Sequence, residues 1–337
     1  MNYNLISTFK HVGDIHIEGK NIYFVKSDSI QLYPNYEVLK LSEYWGIYFS
    51  KGLINVYTNR SYNIFYDYNG NRIESFDKIN FYHIFSKNDF IYFDRNEKKT
   101  KYNSVILFDD KLGENFVEQN QLFFTNNNFV KSCDYKIGKI LWQFDIKLIP
   151  NNPHNDNYGK HADWQVKKFI GVLENKLWVA LNHHTIIALD LENGELVHQI
   201  HNIPTFKIEW LPSAIPLSEA TVVDEKNNKL IGFMWEFYWE INPQNGEIIL
   251  LDFTEDFLVQ KVRNDLKSFV LTDSHIYFAS HHDIKVAAFN RALKKIDWFY
   301  EFDDDDNGYQ SRINKIDGND EKLGVLTQGN ILYIFEK

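Results

Sequence analysis

The sequence predicts an all-β protein: a closed β-propeller of four-stranded antiparallel blades, with the ring shut by the N-terminal strand. Three observations carry this. A strand–turn–strand signal recurs along the whole chain, no segment sustains a helical period, and the composition suits pleated surfaces. Aromatic residues make up 16% of the chain, with 27 Phe and 20 Tyr, and these side chains favour half-buried sheet.

The recurring signal is clearest at 186–200, IIALDLENGELVHQI, a strand, an Asn193-Gly194 turn and a second strand. It returns as YNIFYDYNGNRIESF (62–76), VKSCDYKIGKILWQF (130–144), YWEINPQNGEIILLDF (238–253) and VAAFNRALKKIDWFYEF (286–302). Weaker copies are IQLYPNYEVLKL (30–41) and VILFDDKLGENFV (105–117), and ILYIFEK (331–337) is an incomplete last one. The strands before these turns centre on Leu32, Tyr66, Phe108, Cys133, Leu189, Ile241, Ala288 and Ile334. Their spacing is loose, about 25 to 56 residues, scattered around the roughly 40–50 that a four-stranded blade needs.

Further strands lie upstream of each marker. In the fifth unit they are 167–174, 176–182, 185–191 and 195–200, and the seventh repeats the pattern at 268–273, 275–280, 284–290 and 295–302. The last unit stops one strand short, and YNLISTF (3–9) is a spare strand of the right length. Pairing the two closes the ring and removes unpaired edges. The eight markers imply eight blades. Units three and four are crowded, so a seven-bladed ring with one misread marker is the alternative. The whole chain, 1–337, reads as a single propeller domain.

The pattern aliphatic–aliphatic–aliphatic–Asp, then Gly, Lys or Glu, aliphatic residues and an aromatic stands as SCDYKIGKILWQF and ALDLENGELVHQI. It resembles the repeat of the quinoprotein, or PQQ-like, propellers. The turn is its physical content: Gly supplies a positive φ, Asp or Asn tolerates the bend, and the aromatic packs between blades. The resemblance implies the scaffold and not the cofactor. Such dehydrogenases are exported and stack the cofactor on a bridge between adjacent cysteines, whereas this chain has one cysteine, Cys133. No cofactor is expected. Cys133 sits at an apolar strand position and reads as a small buried hydrophobe.

The formal net charge is −10, which disfavours phosphate backbones and suits a basic partner. No run approaches the apolar length of a membrane span, and no basic-then-apolar leader opens the chain. Neither nucleic acid nor membrane is an expected partner, and a cytoplasmic setting is the default expectation for a chain that is not a processed mature form. Two polar stretches, 147–166 and 303–312, show no strand period and read as long loops, the usual carriers of function on a rigid scaffold.

Candidate site residues fall on these loops and turns. His183-His184 and His281-His282 occupy the same place in their units, between the second and third strands. Imidazole is the commonest transition-metal ligand, so the four would hold a metal if they converged. Tolerated polar turn residues are the plainer reading. For a protein partner the candidates are Trp164, Trp210, Trp235, Glu236, His161, Asp304 and Asp305, exposed aromatics being strong anchors. Inter-blade packing competes for the tryptophans, and solvated loop tips for the acids. No GxSxG, phosphate-cradling glycine loop or HExxH is present.

The expected function is therefore a non-enzymatic, cytoplasmic protein-binding propeller. A narrower version is a bacterial immunity-type protein that neutralises a basic toxin, since propellers resembling this one serve that role. The Asn-, Lys-, Ile-, Tyr- and Phe-heavy composition looks like an AT-rich bacterial genome. The alternative is a metal-dependent lyase or hydrolase acting on a polar ligand in the central funnel.

Overall fold

The computed structural model describes residues 3–50, 52–58, 62–150, 164–203, 205–206, 213–281, 284–303 and 312–337. It is a ring of eight antiparallel four-stranded sheets. In chain order the blades span 12–40, 46–77, 79–108, 115–145, 166–200, 221–252, 270–301 and, for the eighth, 313–336 completed by 4–10. The N-terminal strand Asn4–Lys10 lies antiparallel to the strand Ile331–Glu336, with Leu5 opposite Phe335 and Phe9 opposite Leu332. That zip is the predicted closure, one residue out of place at each end.

Alternation along the strands explains the core. In blade five, Leu177, Val179 and Leu181 face one neighbour while Trp178 and Ala180 face the other, all fully buried. Apolar clusters therefore fill the junctions between consecutive blades, not the ring's centre. Cys133 belongs to one of them; burial, helped by the charge of Asp134, pushes its thiol up to about 11.

The recurring turn joins the third and fourth strands. In blade five Asp190 Oδ1 accepts from the backbone N–H groups of Glu192 and Asn193, and Gly194 N–H donates to Asp190 O. Gly194 has φ +76, and a Cβ there would stand 2.6 Å from the Trp142 ring of blade four. Trp142 Nε1 also donates to Leu191 O at 2.8 Å. The aromatic of one repeat thus docks on the glycine turn of the next. His198 repeats the contact on Gly246 of blade six.

The crowding of units three and four has a definite cause. Phe108 lies on the fourth strand of blade three, Val105–Phe108, not the third, which is Lys99–Tyr102. The stretch 105–117 is not a hairpin but crosses from blade three into blade four, whose first strand is Asn115–Glu118. Blade three carries its Asp-led turn one hairpin early: Asp94 Oδ1 accepts from Asn96 and Glu97 N–H between the second and third strands. The count of eight survives because the other seven markers sit on third strands.

One short helix, Thr254–Gln260, interrupts the connection from blade six to blade seven. It is held by Phe257, buried and stacked on Phe278 at 5.8 Å. At seven residues it is too short for its period to show in the sequence.

Candidate functional site

In an antiparallel blade the second and fourth strands end at the same side. Turns between second and third strands therefore share a face with the connections between blades. Trp164, His183, His184, Trp235, Glu236 and His281 all belong to this loop face. His161, Trp210, Asp304, Asp305 and His282 lie outside the described residues.

Three successive turns on this face are tied to the segment entering the next blade. His184 Nδ1 lies 2.9 Å from Ile215 O and 3.0 Å from Pro216 O. Trp235 exchanges backbone hydrogen bonds with Asn264, 2.8 and 3.0 Å. His281 Nδ1 lies 3.1 Å from Ile313 O. A backbone carbonyl only accepts, so Nδ1 carries the proton in both histidines. Each His pair thus contributes one residue that anchors a blade junction, the second of its pair in His184 and the first in His281. His183 and His184 stand at φ 53 and 57, a left-handed turn whose backbone cost these bonds offset.

His184 belongs to blade five and His281 to blade seven, with blade six between. Among the described residues no group of three or more His, Cys, Asp or Glu is gathered to hold a metal ion. Burial, then the charges of His184 and Lys167, lower the pKa of His183.

Trp235, Glu236 and His281 are brought together, with two partners that sequence reasoning missed. Arg263 Nε donates to Asp265 Oδ1 at 2.6 Å, and Arg263 Nη1 lies 4.0 Å from Glu236 Oε1. Asp265 Oδ2 accepts from the His281 backbone N–H at 3.0 Å. Burial pushes the Glu236 carboxyl above its ordinary value, though Arg263 works against that. Trp235, Arg263, Asp265, His281 and Gln328 border a hollow of about 440 Å³. Arg263 and Asp265 carry no sequence signal, because only the packing of blade six on blade seven sets which loop residues meet.

Trp164 is only 9% exposed; it packs in the junction of blades four and five and donates from Nε1 to Ile149 O at 3.3 Å. Trp239 is fully buried, its Nε1 on Thr221 Oγ1 at 3.1 Å. Among the described residues the exposed tryptophan is Trp45, 65% accessible, on the connection from blade one to blade two. Leu148, Leu258 and Val259, on two further connections, are 73%, 74% and 84% exposed. The signal for Trp45 was the polar break SEYWG (42–46) between two strand runs.

The chain matches no family model and no curated protein sequence. Its fold is similar to solved structures. The computationally designed protein Ika8 aligns with 97% of this chain and 96% of its own at TM-score 0.61 and 10% identity. BamB from Moraxella catarrhalis aligns over 100% of both chains at TM-score 0.57 and 10% identity. Sqt1 from Saccharomyces cerevisiae aligns with 100% of this chain and 99% of its own at TM-score 0.62 and 11% identity. At such identities the likeness shows the β-propeller fold alone.

Proposed function

We propose that this protein is a binding propeller whose loop face docks another protein. One observation carries the reading: large apolar side chains at Trp45, Leu148, Leu258 and Val259 stand exposed on inter-blade connections that share that face. Exposed apolar anchors on a rigid scaffold are the usual footing of a protein interface. Trp235 and Glu236 add an aromatic and a carboxylate to the same face. The net charge of −10 favours a basic partner. The narrower form is a cytoplasmic bacterial immunity protein that masks a basic toxin, built on a PQQ-like repeat scaffold that binds no quinone. Its support is the acidic balance and the Asp-to-Gly turns with their docked aromatics.

The test is affinity capture from the native host, followed by calorimetry with the purified partner. Trp45→Ala with Leu258→Glu is expected to weaken the complex by about 2 kcal/mol or more, while the circular dichroism stays native. Ile137→Glu, on a third-to-fourth-strand turn of the opposite face, is expected to leave binding unchanged. The reverse pattern would overturn the assignment of the face. A purified protein carrying one equivalent of transition metal, lost on His184→Ala, would instead favour the lyase or hydrolase reading.

A further inference from the structure

The junction between blades two and three mixes apolar and polar packing. Phe65 and Phe76 of blade two pack against Phe81 and Phe90 of blade three, and beside them blade two turns buried Asn55 and Asn63 toward blade three. Ile54 and Val56 pack the opposite sheet face, against blade one, so alternation sends Asn55 the other way. Asn55 is 4% exposed, and its Oδ1 has no hydrogen-bond partner. An unpaired buried amide oxygen is costly, and native structures rarely leave one without a use.

Asn55 lines a hollow of about 690 Å³ that runs along the inner strand of blade three, Ile79–Ser86. Toward the loop face stands Arg95, whose Nε and Nη2 both donate to Asn80 Oδ1, at 3.1 and 2.8 Å. A neutral amide fixes the guanidinium plane without cancelling its charge. Among the described residues no carboxylate pairs with Arg95, and none lines the hollow, although the chain is acidic overall. Tyr48 and Tyr57 line its wall.

From these features we infer a second, small-molecule site that takes an anionic monosaccharide, a sugar bearing a carboxylate or a phosphate. Arg95 receives the anion by a charge-assisted hydrogen bond, Asn55 Oδ1 accepts from a sugar hydroxyl, and the tyrosine rings cover the apolar face of the sugar. The volume is within the range of ordinary ligand pockets.

Saturation-transfer NMR and calorimetry on the full chain with glucuronate, glucose 6-phosphate and glucose test this. At least one of the two anionic sugars is expected to bind about tenfold or more tighter than glucose. Whichever anion binds identifies the source of the charge. Arg95→Gln is expected to bring that affinity down to the glucose value, and Arg95→Lys to retain part of it. Asn55→Asp, which places a like charge in the hollow, is expected to abolish anion binding; a thermal melt confirms folding. No saturable binding of either anion at about 10 mM, an affinity unmoved by Arg95→Gln, or glucose binding as tightly as the anions would each overturn the proposal.

Discussion

Gly194 answers two demands at once, a left-handed φ and the close approach of the Trp142 ring. Either alone disfavours a side chain, so Gly194→Ala is expected to destabilise the fold by about 1–4 kcal/mol in urea unfolding. Trp142→Phe keeps an aromatic ring but loses the indole N–H that bonds Leu191 O and part of the buried ring, and about 1–3 kcal/mol of stability is expected to go with them. These roles were legible in the repeat, because an Asp, a Gly and an aromatic at fixed spacing describe one local turn and one neighbour. The exposure of Trp45 and the burial of Trp164 were not. Both follow polar breaks in the sequence, and only the path of each connection decides which ring reaches a core.

At the level of the element, the turns between second and third strands act as fasteners between blades. His184→Ala removes one such tie, and a loss of about 1 kcal/mol with unchanged circular dichroism is expected. The junction of blades six and seven has a charged fastener. Burial alone would raise the pKa of Glu240, but hydrogen bonds from Lys229, Lys294 and Tyr238 outweigh it and hold it at about 2. A depressed carboxylate stabilises the fold above its ordinary value of 4.5 and loses that contribution as pH falls toward 2. Glu240→Gln is therefore expected to cost about 1–3 kcal/mol at neutral pH. The Lys229 side chain is well exposed and solvent screens its share, which places the value toward the lower end. The cost is expected to shrink between about pH 5 and pH 2, as urea titrations of both proteins would show. Blade three marks the limit of reading elements from a motif. Its Asp-led turn moved by one hairpin, so the motif kept its chemistry and lost its address.

For the whole molecule, ring closure is the decisive contact. Removing residues 1–10 strips the outer strand from blade eight and exposes an unpaired edge. The truncated chain is expected to aggregate, or to melt at least several degrees lower in calorimetry. A synthetic peptide of residues 3–11 is expected to restore part of the loss. The junctions were legible only as a class. All hold apolar side chains, as the alternating strands imply, and the junction of blades two and three adds buried Asn55 and Asn63 beside its phenylalanines.

By itself the sequence determined the class of fold and the way the ring closes, and it left eight or seven blades, between which the structure decided for eight. Strand alternation and turn chemistry are local, and a repeat states them many times over. Tertiary structure alone decided which side chains from neighbouring blades share a hollow, as Arg263 with His281, or Arg95 with Asn55. Those meetings depend on the angle and spacing of neighbouring sheets. Both arise from packing summed around the ring, and no short stretch of chain encodes them.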